Sequence, residues 1–439
     1  MEAIAWWLWS LALVPYTLFP LVVRAVGRDR RALVVPQSNE NWPSVAVVFA
    51  AYNEEAVLAA KLDSLLSQDY PGHLEVWVGS DLSSDQTDAI LAEYAARDAR
   101  VHWIRMESRS GKAKIINRLV AETQSDWIVG TDANILFAPD CTRELMREAQ
   151  RNPKASVVGG SLYYRGMDRN PSASIAKEER WYMNWENFAK RVEYERTGCA
   201  MGVEGGLYAI RRDAFRPIPP GTFMEDFFLS FSAMLRGEHV AWSLTARGSE
   251  DVSHDSEQEF RRKVRIAHGN WQNIGRFAGS MWMLRPAVLA VFIGHKLLRW
   301  LTPLLVLGGI VLGLGPGPEW SELGQRMWLL FTALAVYTLL LRAGLAAALN
   351  HVPGLRTLHH LLLMNLALAL GFGVLLLSDF TLIAQFGALA QASVKTTPSR
   401  ASRSRWGVST KRLPAKAGSF QPMSSARMSM MLGRSVAKI

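Results

Sequence analysis

Four short apolar runs between residues 45 and 131 constrain the fold more than any other feature of the chain. Each run has the length and composition of a strand buried on both faces, and a helix-like stretch follows each of the first three. This alternation predicts an α/β fold with a mostly parallel sheet and helices on both faces. The predicted strands are Val45–Ala51, Leu74–Gly79, Val101–Arg105 and Trp127–Thr131, and the predicted helices end near Leu66, span Asp85–Ala96 and span Lys112–Ala121.

An apolar segment, Ile4–Val23, precedes this region and is long enough to cross a bilayer core of about 30 Å. It could be read as a signal peptide. However, its basic residues follow the apolar stretch, whereas in signal peptides they precede it. We therefore predict a retained transmembrane anchor over residues 1–31. The basic cluster also predicts that the next domain, residues 40–280, is cytoplasmic; the cluster consists of Arg24, Arg28, Arg30 and Arg31.

Residues 281–394 are predicted to form an interfacial helix followed by transmembrane helices. The helix Ala287–Arg299 is assigned to the interface because it carries His295, Lys296 and Arg299. The last apolar stretch fits either a returning span or a second interfacial helix. Counting it gives five spans in a multi-pass inner-membrane protein and places the basic tail, residues 395–439, on the cytoplasmic side; this tail is predicted to be disordered. The predicted spans after the interface are Trp300–Leu314, Met327–Asn350, Leu361–Leu377 and Asp379–Val394.

The chain has 439 residues and a net charge of +10, but this charge does not indicate nucleic-acid binding. Much of it lies beside apolar segments and in the tail, and no recognition helix, zinc spacing or RNA-binding motif is present. Membrane lipids are the simpler partners of these basic residues. With only Cys141 and Cys199, the sequence also lacks a disulfide framework.

Polar side chains follow three of the predicted strands: Asn53, Asp81 and Asp132. In parallel α/β sheets, ligands bind beyond the carboxyl ends of the strands, so we expect these residues to share a site. Asp81 can accept hydrogen bonds from a ribose hydroxyl or a uracil N–H. The nearby Asp85 is expected to cap the next helix.

The segment Asp132-Ala133-Asn134 is the candidate metal loop. Mg²⁺ and Mn²⁺ prefer oxygen ligands and share them with phosphates, and both polar side chains can face one pocket. A simple turn is the alternative, because Asp and Asn favour turns. Asn134 contributes no charge, so replacing it with Asp is expected to tighten metal binding.

Three further segments predict groups that act in catalysis or bind the nucleotide-sugar. Lys112 opens a helix, where backbone N–H groups and its ammonium favour an anion. Asp226, after Glu225, can act as a general base on an acceptor hydroxyl, the alternative being a helix-start acid that interacts with the helix dipole.

In the basic helix Phe260–Phe277, we expect Arg276 and Gln272 to face the site, with Arg276 stabilising a leaving diphosphate. Lipid headgroups are the alternative partners of this helix, which also carries Arg262, Lys263 and Arg265.

With these motifs, the chain resembles membrane-embedded, processive-type family 2 glycosyltransferases such as bacterial cellulose, hyaluronan and poly-N-acetylglucosamine synthases. The resemblance covers residues 44–300 and implies a GT-A-like nucleotide-sugar-binding domain, inverting chemistry, a UDP-sugar donor and a Mg²⁺ or Mn²⁺ cofactor. It also implies a polysaccharide or lipid-linked acceptor, and allows for export or accessory subunits. Two departures, Asn273 for Gln and Phe277 for Trp, leave processivity open. The matching positions are Tyr52, Asn53, Glu54 and Glu55 at the nucleobase, then Asp81, Gly111-Lys112, Asp132, Asn134, Glu225-Asp226 and Arg276.

Three other functions remain open. The first is transfer of a single sugar to a lipid carrier of the polyprenyl phosphate or ceramide type. The second is a catalytically silent membrane subunit that only binds nucleotide-sugar, against which the presence of Asp132 and Asp226 argues. The third is a transporter, which would need more spans and a polar site at the bilayer midplane.

Overall fold

The computed structural model describes residues 1–16, 19, 23, 41–165, 174–251, 256–312, 319–342, 365–366, 368–371 and 373. The chain divides into two units, Met1–Phe372 and Gly373–Ile439, and everything below concerns the first. The predicted tail, residues 395–439, and the predicted span Asp379–Val394 lie outside the described residues.

An eight-stranded sheet in the order β3-β2-β1-β4-β7-β6-β8-β5 forms the centre of the domain. Strands β3, β2, β1 and β4 run parallel, as predicted from the β-α alternation. The strands are β1 (Val45–Ala51), β2 (Leu74–Ser80), β3 (Val101–Arg105), β4 (Trp127–Thr131), β5 (Leu136–Phe137), β6 (Ala155–Arg165), β7 (Leu207–Arg211) and β8 (His239–Asp251).

The second half of the sheet corrects the prediction of a mostly parallel arrangement. β7 pairs antiparallel with both β4 and β6, and β5 pairs antiparallel with β8, whereas β6 and β8 are parallel. The sheet is therefore mixed. The β-α pattern ends after β4, so no local signal in the sequence determines the directions of the later strands.

Helices cover the sheet and continue beyond it. α1 (Glu2–Leu13) lies at the N-terminus, and a continuous helical stretch, 286–312, follows the last strand and the helix after it. The others are α2 (Leu58–Leu66), α3 (Thr87–Arg97), α4 (Lys112–Glu122), α5 (Cys141–Arg151), α6 (Ser174–Thr197), α7 (Glu225–Leu235), α8 (Ser256–Phe277), α9 (Pro286–Val291), α10 (Leu298–Leu312) and α11 (Glu322–Arg342). One turn of π-helix, Phe292–Leu297, joins α9 to α10.

The core lies between β1, β2, β4 and the helices α2 and α5. On α2, Leu58, Leu62 and Leu65 are fully buried against the strands, because they recur at the spacing of one helix face. This packing fixes the carboxyl ends of the strands at one edge of the sheet.

Within the described ranges, one helical stretch, 286–312, is long and apolar enough to cross a membrane. α1 packs beside it: Trp9 lies against Gly309, where an added Cβ would lie 2.3 Å from Trp9 Nε1. The rest of the first predicted span and most of Leu361–Leu377 lie outside the described residues, as does the end of Met327–Asn350. The five-span arrangement remains a prediction.

Candidate active site

The ammonium of Lys112 lies at the centre of the candidate site. Its Nζ lies 2.6 Å from Asp132 Oδ1 and 2.5 Å from Glu225 Oε1. β4 delivers Asp132, the first turn of α4 delivers Lys112, and the first turn of α7 delivers Glu225. The predicted metal loop and the predicted base therefore belong to a single pocket at the carboxyl edge of the sheet.

The electrostatics of the pocket follow from this bridge. Burial alone would raise the pKa of Asp132, but the ammonium of Lys112, with contributions from Arg262 and Lys61, outweighs it and lowers that pKa. Burial would also lower the pKa of Lys112, but Asp132 and Glu225 hold it well above its usual value. Asp132 is thus a carboxylate, and Lys112 a cation, throughout the neutral pH range.

Asp226 is buried at the start of α7, as expected for a base shielded from solvent. Burial, and then the neighbouring carboxylate of Glu225, raise its pKa to about 7, although Lys112 acts in the opposite direction. Gly205 lies over this carboxylate: an added Cβ would lie 3.3 Å from Asp226 Oδ2. A carboxyl group with a pKa near neutrality can accept a proton from an acceptor hydroxyl and release it afterwards.

The predicted nucleotide-binding residues sit on two adjoining loops. Asn53 is in the left-handed region (φ 54°), and its Oδ1 accepts from the backbone N–H of Ser84 at 2.9 Å. Burial, and then the negative charges of Asp132 and Asp85, raise the pKa of Glu54. The Glu54 side chain therefore lies close enough to the metal loop to interact with the charge of Asp132. Leu82 is also left-handed (φ 59°), and for a residue without a polar side chain this conformation is strained.

Asp81 has a structural role that the sequence did not suggest. Its carboxylate accepts backbone N–H bonds from Ser110 at 2.6 Å and Gly111 at 3.1 Å. It therefore fixes the loop that leads into Lys112. Beside it, the guanidinium of Arg109 stacks on Tyr52, 3.1 Å from the ring centre, and Tyr52 is 41% exposed. Tyr52 is thus only partly covered, and it is the aromatic ring that we expect to contact a nucleobase.

Lys61 is a site residue that sequence reasoning missed. It is fully buried beneath the metal loop, and its Nζ donates to Thr131 Oγ1 at 2.8 Å and to the Ile135 carbonyl at 2.5 Å. These two groups flank Asp132–Asn134 on either side. Burial lowers the pKa of Lys61 to about 7, opposed by the charge of Asp132. Its signal in the sequence was a lysine on the apolar face formed by Leu58, Leu62 and Leu65.

Glu250, at the end of β8, is a second missed residue. Its Oε1 accepts a hydrogen bond from Asn134 Nδ2 at 3.0 Å and lies 3.6 Å from Arg262 Nη1. The antiparallel pairing of β5 with β8 brings these residues together across more than a hundred positions of sequence. No local pattern could have signalled this contact.

Helix α8 holds the segment that precedes the base. Gln272 Nε2 donates to the Gly221 carbonyl at 3.0 Å, and Asn273 Nδ2 donates to the Met224 carbonyl at 3.1 Å. Arg276 donates to Asn273 Oδ1 at 3.1 Å and lies over the ring of Phe228. The structure thus places Gln272 and Arg276 on the base side of the site, whereas Arg262 of the same helix acts on Asp132.

The residues of the metal loop fit a hard divalent cation. Asp132 and Asn134 offer only oxygen ligands, and such a cation takes its remaining ligands from diphosphate and water. Among the described residues, no three His, Cys, Asp or Glu side chains converge as a metal site. Protein ligands alone would thus bind a cation weakly, and the nucleotide would complete the site.

Residues 46–218 match the sequence model of glycosyl transferase family 2, so the chain carries a domain of that family. An N-acetylglucosaminyltransferase of Mesorhizobium japonicum is 26% identical over 253 residues, 54% of this chain and 58% of the relative. A beta-monoglucosyldiacylglycerol synthase of Trichormus variabilis is 35% identical over 118 residues, 26% of this chain and 25% of that protein. The chain therefore spans well under two thirds of either relative.

A solved structure, the mannosyltransferase PcManGT from Pyrobaculum calidifontis in complex with GDP-Man and Mn²⁺, superposes with a TM-score of 0.64. The match covers 85% of this chain and 98% of that one at 20% identity. This similarity establishes the GT-A-like α/β fold and so confirms that part of the predicted fold class, whereas the sheet is mixed and the transmembrane helices remain a prediction.

Proposed function

We propose that this glycosyltransferase is an inverting enzyme that moves a sugar from a UDP-sugar to a growing polysaccharide or glycolipid acceptor at the cytoplasmic face of the inner membrane. One observation carries the proposal: Lys112 Nζ lies 2.6 Å from Asp132 and 2.5 Å from Glu225. The donor loop and the base-bearing helix therefore face the same reacting centre.

On the donor side, Tyr52, Asn53, Glu54 and Asp81 contact the nucleoside or shape the loops that do so. Asp132 and Asn134 would hold Mg²⁺ or Mn²⁺ together with the diphosphate, and the cation would supply charge stabilisation to the leaving group. Lys112 adds a fixed positive charge beside that diphosphate.

On the acceptor side, Asp226 removes the proton from the acceptor hydroxyl. The acceptor oxygen forms a bond to the anomeric carbon while the bond from that carbon to the diphosphate breaks, and UDP departs. One in-line displacement inverts the anomeric configuration and requires no covalent enzyme intermediate. A base with a pKa near 7 suits this step, because a substantial fraction of it is ionised at neutral pH and it is still basic enough to take the proton.

Two arginines of α8 divide the remaining work in this proposal. Arg262 acts on the Asp132 side, where its charge lowers the pKa of the carboxylate. Arg276, which contacts Asn273 and Phe228, would have to turn toward the leaving diphosphate to stabilise it directly. Gln272 keeps the segment before Glu225 in place through Gly221.

Two acceptor classes remain in this proposal. The Mesorhizobium relative, named an N-acetylglucosaminyltransferase, supports N-acetylglucosamine as the sugar, and a polysaccharide acceptor is the first of the two classes. The Trichormus relative, named a beta-monoglucosyldiacylglycerol synthase, supports a single glucosyl transfer to a lipid. The helix 286–312, which is long and apolar enough to cross a membrane, supports an acceptor site next to lipid.

The test is turnover of UDP-GlcNAc, UDP-Glc and UDP-Gal by the purified full chain in detergent with Mn²⁺. Chitooligosaccharide and diacylglycerol serve as acceptors in parallel reactions. We expect one donor to release UDP in step with a sugar-bearing product, and Asp226→Asn to abolish this release. Tight UDP binding without turnover of any donor would identify a catalytically silent subunit instead.

A further inference from the structure

The amide of Asn134 has a fixed orientation in this structure. A carboxylate accepts hydrogen bonds and cannot donate them, so the amide edge that faces Glu250 Oε1 at 3.0 Å must be the NH₂ edge. The carbonyl oxygen of the amide then lies on the edge turned away from Glu250.

Glu250 also supplies charge. An aspartate at position 134 would bring a second carboxylate into the loop itself, whereas this chain has a neutral amide there and a carboxylate one hydrogen bond away. Glu250 is mostly buried, with 13% of its side chain exposed, and Arg262 lies 3.6 Å from it. These two contacts hold the Glu250 carboxyl group in place beside Asn134.

We infer that Glu250 is the positioning residue of the metal loop: it orients the Asn134 oxygen toward the cation and diphosphate, and it provides the negative charge that Asn134 lacks. This inference rests on the proposed function, because it assumes that Asp132 and Asn134 hold a cation. Partners that orient a metal ligand typically change metal affinity by about 10- to 100-fold when they are removed.

The geometry reverses one expectation from the sequence. Sequence alone predicts that Asn134→Asp tightens metal binding by adding a charged oxygen. In the structure, that substitution would place two carboxylates in contact where a hydrogen bond now lies, and they would repel each other. The second substitution Glu250→Gln should relieve the repulsion, because the new amide can donate to Asp at position 134.

The test is a charge-swap cycle read by Mn²⁺ binding. Free Mn²⁺ is measured by electron paramagnetic resonance during titration of the full-length protein in detergent, with saturating UDP and no acceptor. We expect Asn134→Asp and Glu250→Gln each to weaken Mn²⁺ binding by about tenfold or more. The double variant should return to within a few-fold of wild type. Glu93→Gln, which removes a surface carboxylate whose side chain is 63% exposed, is the control and should change nothing.

Tighter Mn²⁺ binding by Asn134→Asp, with no effect of Glu250→Gln, would overturn the inference. A double variant whose loss of Mn²⁺ affinity equals the sum of the two single losses would overturn it as well. Wild-type protein that transfers sugar yet binds no Mn²⁺ with UDP would also overturn it, while leaving the proposed function in place. Mn²⁺ binding that follows the predicted cycle in a protein that transfers no sugar would support the inference and contradict the proposed function. A thermal melt of each variant identifies any that fails to fold.

Discussion

At the scale of single residues, the site is a balance of buried charges. Among the residues that the structure describes, Asp226 forms no ion pair with a cation, and Lys112 is shared between Asp132 and Glu225. This leaves Asp226 with a pKa of about 7 and leaves Asp132 ionised. Carboxyl groups in two different environments can thus perform two different tasks.

We predict that Asp226→Asn lowers the transfer rate by on the order of 10² to 10⁴ while UDP affinity stays near wild type. In the wild-type enzyme, kcat/KM should rise with pH and level off above about pH 7, because only the ionised form of Asp226 accepts the proton. Initial rates from pH 5 to 9 measure both effects. Asp213→Asn, at a carboxylate whose side chain is 70% exposed, is the control. Full activity in Asp226→Asn would place the base elsewhere.

We predict that Lys112→Met shifts the acidic limb of the pH profile to higher pH and weakens UDP binding. Lys112 lowers the pKa of Asp226, so removing its charge lets that pKa rise further. It would also leave Asp132 and Glu225 without the cation that joins them. The pH profile and a UDP titration of the variant measure both effects, with Lys114→Met, at an exposed position of the same helix, as the control. An unshifted limb would show that Lys112 does not act on the base.

Sequence could predict the residues of this site whose signals are local. Asp132 and Asp81 follow buried strands, and Asp226 follows Glu225 at the start of a helix, so each has a pattern around it. Glu250 has none, because only the β5–β8 pairing brings it to Asn134. Asp81 was expected to contact nucleotide, but the structure shows its carboxylate bound to the backbone of residues 110 and 111.

At the scale of secondary-structure elements, a buried ion network joins α6 to the helical stretch 286–312. Glu186 lies 2.5 Å from Lys296 Nζ and 2.9 Å from Arg299 Nη1, with His295 nearby. One turn along α6, Lys190 pairs with Glu204, the residue before the Gly205 that covers Asp226. The helix expected to lie in the membrane interface is thereby connected to Asp226, the proposed base.

We predict that Glu186→Gln destabilises the domain by about 3 to 5 kcal/mol, because breaking a buried ion pair leaves uncompensated charge. The thermal midpoint in detergent should fall markedly. On the same helix, Arg191→Gln breaks only a surface pair, Arg191 being 50% exposed, and should change the midpoint little. Equal midpoints for the two variants would mean that the buried network does not hold the helices together.

At the scale of the whole molecule, the sequence predicted the parallel half of the sheet and missed the mixed half. β1 to β4 follow a repeating local pattern, whereas β7 enters between β4 and β6 from far along the chain. The membrane segments show the same division. Composition identifies apolar stretches, but only 286–312 meets the length and composition test within the part of the chain described.

We predict that residues 40–280 lie in the cytoplasm, because the arginines after the first apolar segment favour that side and nucleotide sugars are supplied there. Protease added outside intact spheroplasts should leave this domain uncut, and lysis should expose it. A periplasmic protein digested in the same sample confirms that the protease is active. Cleavage within the domain before lysis would reverse the topology.

The most direct test of the account is the anomeric configuration of the product, determined by proton NMR after transfer from an α-linked UDP-sugar. One in-line displacement, with Asp226 as base and no nucleophile on the enzyme, predicts a β-linked product. An α-linked product would contradict the account, because net retention requires a second displacement or attack from the side of the departing diphosphate.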